Sequence, residues 1–181
     1  MGKPSIFFDF THPVATQWSE VSDTVRPAGL SKATWGSVTS TEGGTYFVLF
    51  TLLNPQPNGA GFAGISARVS WNLSSASVLG FKARSLGNPF YGIVLKDPSC
   101  QDDYFQAQLK TVPDDSEEGD YSHYHVNLSE FERFYQGSPI TGPSLQRANI
   151  TEFGIRMIGG VYQSFKQEGV SSLQLKSVWA E

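Results

Sequence analysis

The chain has 181 residues, 13 basic against 17 acidic side chains and a formal charge of -4, with 17% charged and 13% aromatic residues. This suits one hydrophobic core and disfavours both long surface helices and extensive disorder. The basic residues are dispersed, which argues against a nucleic-acid groove. Cys100 is the only cysteine, so neither an internal disulfide nor a cysteine metal cluster is available.

In chain order, the apolar run Ile6 to Phe10 is joined to Trp18 through a turn containing Thr11, His12 and Pro13. A loop from Asp23 to Ser31 follows, since Pro27 and Gly29 break both regular periods. Ser31 to Thr39 reads as a strand. Thr45 to Leu53 is a stronger one, rich in aromatic and β-branched residues and stopped by Asn54-Pro55-Gln56-Pro57-Asn58-Gly59.

Further strands are expected at Phe62 to Val69, Val78 to Arg84, Phe90 to Leu95 and Tyr104 to Lys110. The stretch near 113–120, with Asp114-Asp115-Ser116-Glu117-Glu118-Gly119-Asp120, reads as an exposed acidic loop, not a cation cage. Tyr121 to Leu128 resumes the strand pattern. Ser129 to Tyr135 then reads as a short helical turn capped by Ser129 and ended by Gly137 or Pro139. Asn149 to Ile158, Gly160 to Lys166 and Ser172 to Trp179 complete the strands. In the last, Leu173, Leu175 and Ser177 are expected on one face, with Gln174, Lys176 and Val178 on the other.

About ten short strands with almost no helix imply antiparallel sheets packed on each other. Residues 1–181 are therefore expected to form a single all-β domain, a jelly-roll β-sandwich. No run of about 18 apolar residues marks a membrane-spanning helix. The first residues carry no secretion, myristoylation or mitochondrial signal, so a cytoplasmic location is the expectation, with an organellar one left open. The triplets beginning at Asn72, Asn127 and Asn149 fit a glycosylation pattern that has meaning only in the secretory pathway.

A set of segments runs in a fixed order: Phe8-Asp9-Phe10, Trp18, Ser22-Asp23-Thr24-Val25-Arg26 and Gly29-Leu30-Ser31 to Asn58-Gly59-Ala60-Gly61-Phe62-Ala63-Gly64. It continues through Leu79 to Arg84, Gly87, Tyr91, Tyr104 to Ala107, Val126 to Phe131, Ile150, Phe153-Gly154-Ile155 and Leu173 to Val178. This order resembles the complex I intermediate-associated protein 30 family, whose domain is a galactose-binding-like jelly roll. Two departures stand out: Pro27-Ala28-Gly29 replaces the family's paired-glycine loop, and Tyr124 is the nearest aromatic where the family has a Trp before its Phe-rich turn. The resemblance implies a non-enzymatic interaction or assembly role, with a protein partner that includes a complex under assembly.

The residues themselves contain no catalytic constellation and call for no cofactor. Asp97, Asp102, Asp103, Asp114, Asp115, Glu117 and Glu118 lie in loop-like sequence and read as surface carboxylates. Asp9 and Asp23 are explained by hydrogen bonds to loop N–H groups. His123 and His125 would share one strand face, but a third metal ligand is lacking, so a polar sheet face is favoured over an imidazole pair. Cys100 reads as an ordinary thiol. Gly59, Gly61 and Gly64 have dinucleotide-loop spacing without the helix that such a loop needs.

The favoured binding candidates join arginines to aromatic platforms: Trp18, Asp23, Arg26, Trp35, Arg68 and Trp71. A protein-interaction or assembly domain is the first function class, and a carbohydrate or small polar-ligand module the second. A glycosidase or lyase is a distant third. A broad open apolar patch would favour the first, and a bounded cleft with polar groups the second.

Overall fold

The computed structural model describes residues 4–25, 27–41, 44–113 and 121–181. Thirteen strands are present in these segments: β1 Ser5–Asp9, β2 Trp18–Ser22, β3 Lys32–Thr39, β4 Thr45–Leu53, β5 Phe62–Trp71, β6 Val78–Leu86, β7 Phe90–Lys96, β8 Tyr104–Lys110, β9 Ser122–Asn127, β10 Glu132–Tyr135, β11 Ser138–Pro139, β12 Ile150–Ile158 and β13 Gly169–Ala180. One sheet has the order β3-β4-β13-β6-β9, with β1 also on β13. The second has the order β11-β10-β8-β7-β12-β5-β2. The two form a jelly-roll β-sandwich.

Period-two alternation places the core. Along β12, Phe153, Ile155 and Met157 are buried between the sheets, while Glu152, Gly154, Arg156 and Ile158 take the opposite parity. At the amino-terminal end, Phe8, Phe10, Trp18, Phe47, Trp71 and Phe153 pack as one aromatic cluster. Phe8 lies 5.3 Å from Trp18 and 5.8 Å from Phe153, and Trp71 lies 5.0 Å from Phe153, in centroid distances. Fully burying each such ring contributes about 1.5–3 kcal/mol, so this cluster is a principal tie between the sheets.

β13 is the longest strand and occupies a central place. Gly169 to Leu175 pair with β4, and Ser177 to Ala180 pair with β1, while β6 runs along its other edge. A bulge between Leu175 and Ser177 resets the alternation. It turns Val178 into the core and leaves Ser177 half-buried, correcting the expected faces of those two residues.

Two other expectations change. The helical turn from Ser129 to Tyr135 is instead a 3₁₀ turn over Leu128–Glu130 followed by strand β10. Its preceding residue is Asn127, with no side-chain cap. Tertiary pairing overrides the local helix signal here: Glu132, Arg133 and Phe134 add to the free edge of β8. Gly160 to Lys166 forms no strand. It folds into turns that begin at Gly160, with φ +87°, and dock Phe165 flat on Phe90 at 3.9 Å. Of the expected acidic loop, Pro113 is exposed and 114–120 lie outside the described residues.

Candidate functional site: a groove across the second sheet

The outward faces of β2, β5, β12, β7, β8 and β10 form the floor of a groove enclosing about 300 Å³. Its centre is Arg156. Across the ladders, Arg156 stands opposite Gly64 of β5 on one side and Gly92 of β7 on the other. A Cβ at position 64 would lie 2.3 Å from the Ile155 carbonyl oxygen and 2.4 Å from the Arg156 Cβ. One at position 92 would meet the side-chain Oε1 of Gln106 at 2.6 Å. Glycine at both neighbours lets the arginine lie down along the sheet.

The side chain of Arg156 spans β7 to reach β8. Its Nε and Nη2 both donate to Gln106 Oε1, at 2.9 and 2.7 Å. Its Cζ sits 4.1 Å from the Tyr104 ring centroid and 5.2 Å from that of Phe62. Phe134 on β10 extends the platform, with its ring within 8° of parallel to Tyr104 at 5.9 Å. Burial pulls the Arg156 guanidinium below its ordinary value, yet an arginine stays charged at any physiological pH.

The walls are built by turns. Gln136 and Gly137, at φ 50° and 85°, close the two-residue turn of the β10–β11 hairpin. Ser138 Oγ and the Tyr162 hydroxyl are 3.2 Å apart, tying that hairpin to the turn after β12. The opposite wall, at Ala60 to Phe62, is fixed from below by Asp23. Its carboxylate accepts from Ser31 N at 2.9 Å, Ser31 Oγ at 2.8 Å and Phe62 N at 3.3 Å. Gly29 is required beside it, since a Cβ there would lie 1.9 Å from the Asp23 carbonyl oxygen. Lys96 and Glu152 add an ion pair at 3.8 Å within the groove, and Asp102 is exposed at its edge.

The groove is thus equipped to hold a ligand by stacking and directional hydrogen bonds. Its lining contains neither His nor Cys. Among the described residues, no group of three or more His, Cys, Asp and Glu side chains is placed to hold a metal.

The sequence-selected residues are dispersed. Trp71 is buried, stacked 4.2 Å from Phe7, and Trp18 packs into the same cluster, so neither indole is a cleft platform. Trp35 packs against the core from the other sheet. Asp23 supports the wall from a buried position. Arg68 is exposed on the groove side of β5 opposite Glu152 but does not line the groove. Arg26 lies outside the described residues. His123 and His125 do share a face, where both stand edge-on to Trp179, at 5.6 and 5.9 Å, and His125 Nε2 is 3.5 Å from Glu181.

Two supposed surface carboxylates are buried. Asp97 accepts from Ser99 N at 2.8 Å and Gln146 N at 2.7 Å, and Asp103 accepts from Arg133. Both organise the turn before β8.

Residues Phe62, Tyr104, Gln106, Phe134 and Arg156 were not singled out by the sequence reading. The available signal was parity: once Phe153 and Ile155 are assigned inward, Arg156 must point outward, beside glycines that are unusual in strand interiors.

The sequence signature of the complex I intermediate-associated protein 30 (CIA30) family matches residues 8–175. The chain belongs to the CIA30 family. No curated protein matches its sequence. Among solved structures, the CIA30 sandwich is similar to the family 11 carbohydrate-binding module of the cellulosomal cellulase Lic26A-Cel5E of Clostridium thermocellum. The TM-score is 0.64 at 13% identity, covering 98% of this chain and 94% of that one. The Clostridium thermocellum family 11 module in complex with a beta-1,3-1,4-mixed-linked tetrasaccharide gives 0.64 at 14% identity, covering 99% and 96%. An exo-beta-agarase gives 0.56 at 11% identity, covering 98% of this chain and 25% of that one. At such identities the likeness establishes the fold of this CIA30 chain.

Proposed function

We propose that this CIA30 chain is a non-catalytic recognition domain and that the groove across its second sheet binds an extended saccharide. The observation that carries this reading is the bounded floor of Tyr104, Phe134 and Phe62 around a fixed Arg156. Flat rings offer surfaces to the apolar faces of sugars, and Gln106, Lys96 and Glu152 supply polar groups that fix orientation. The sandwich it shares with carbohydrate-binding modules supports the same reading. Tyr104→Ala and Phe134→Ala, tested by affinity electrophoresis against a panel of soluble polysaccharides, should each weaken binding about tenfold with circular dichroism unchanged. Retained binding in both variants would overturn the assignment.

A second reading, a protein-interaction or assembly role, is supported by the family and by an apolar strip on the opposite sheet. Val170 stands across from Leu52, two residues from Phe50, and the three are 72%, 47% and 47% exposed. Leu52→Asp with Val170→Asp should abolish partner capture while leaving polysaccharide binding intact.

A further inference from the structure

Two cations beside the groove pair directly with carboxylates. Lys96 faces Glu152, and Arg133 donates to Asp103. Arg156 is only 9% exposed, yet no carboxylate lies within 4.0 Å of it among the described residues. Two of its donors converge on Gln106 Oε1, the Tyr104 hydroxyl is a further neutral acceptor, and its other contacts are with the Tyr104 and Phe62 rings. Neutral acceptors and two π faces compensate a buried charge less than a direct ion pair does. Of the other charges on this face, Glu152 acts on Arg156 only through its field while paired with Lys96, and Asp102 and Arg68 are exposed and screened by solvent.

We infer that the groove selects an acidic saccharide, one carrying a uronate carboxylate, and that Arg156 supplies the cation which pairs with that carboxylate. This rests on the groove being the binding site. The ligand's anion completes the coordination of the guanidinium, and its sugar ring lies on the Tyr104–Phe134 platform. The aromatic lining is what favours a saccharide over an acidic peptide, because ring faces pack against the apolar face of a pyranose. Charge-assisted hydrogen bonds to a poorly solvated arginine are stronger than neutral ones, so the carboxylate dominates selectivity.

The test is calorimetric titration of the full chain with an oligogalacturonate and with the same oligosaccharide after carboxyl reduction, while backbone amide shifts report where each binds. The acidic form should bind about tenfold more tightly, and added salt should shrink the difference. Gln106→Glu should erase the preference for acid, since it places an internal carboxylate on Arg156. This near-isosteric change complements Arg156→Gln, which removes the cation itself and should have the same selectivity effect.

If the neutral form binds in the groove as tightly as the acid, the inference fails and the saccharide reading stands. If neither shifts the groove amides, both fail. An oligoglutamate that binds as well as the oligogalacturonate would overturn the saccharide class.

Discussion

Arg133 of β10 donates from Nε to Asp103 just ahead of β8, and the same guanidinium reaches the Ser99 carbonyl oxygen at 3.0 Å while lying over the Phe105 ring at 5.3 Å. One side chain therefore binds β10 to its neighbour β8. The groove depends on this tie, because Phe134 is the next residue along the strand.

Asp103 has its carboxyl held below the ordinary value of 3.8, chiefly by the hydrogen bond from Arg133. A folded-state value below the unfolded one means that the contribution to stability is present above the unfolded carboxyl range and is lost as pH falls through the folded value. Asp103→Asn should cost about 2 kcal/mol at neutral pH and flatten the acid limb of stability. Urea midpoints across the acid range measure both. An acid limb as steep as in the unaltered chain would refute the assignment.

Gly64 and Gly92 flank the same arginine but differ in what an added methyl meets. At Gly64 it meets the backbone oxygen of Ile155, whereas at Gly92 it meets the end of the flexible Gln106 side chain. Gly64→Ala should lose about 1–3 kcal/mol through overpacking, while Gly92→Ala should fold normally and displace Gln106 from Arg156. Thermal melts of the two variants, compared side by side, test the contrast.

Asp23 organises three donors from two separate stretches of chain. Asp23→Ala orphans them, so a loss of about 3 kcal/mol is expected, together with faster hydrogen exchange at Ser31 and Phe62. Unchanged exchange at those two amides would show that other groups hold the wall.

Cys100 is half-buried, and burial raises its thiol value. A raised value leaves less thiolate at neutral pH, so alkylation by iodoacetamide should be slower in the native chain than in urea. Equal rates would contradict the burial.

Strand content was legible because aromatic and β-branched runs end at clusters of Gly, Pro and Asn. Thr45 to Leu53 and Tyr104 to Lys110 match their observed bounds. What escaped was decided by partners distant in sequence. Ser129 to Tyr135 has local helix signals, but the open edge of β8 captures β10. The bulge before Ser177, which exchanges the faces of Ser177 and Val178, has no composition signal. The groove rings escaped because a tryptophan's residue type does not tell a core ring from a surface one. Trp18 and Trp71 have the area to fill a core, whereas the groove rings are Phe and Tyr whose outward parity emerges only once the strands are in register.

The central place of β13 sets the order of events during synthesis. The ribosome makes β4, β6 and β1 long before the strand that lies among them, so Leu49 and Phe81 wait without their final cover. Such far-separated pairings slow collapse to the native state and expose nascent chains to aggregation. The sandwich therefore closes late, and chaperone demand should peak just before its thirteenth strand emerges.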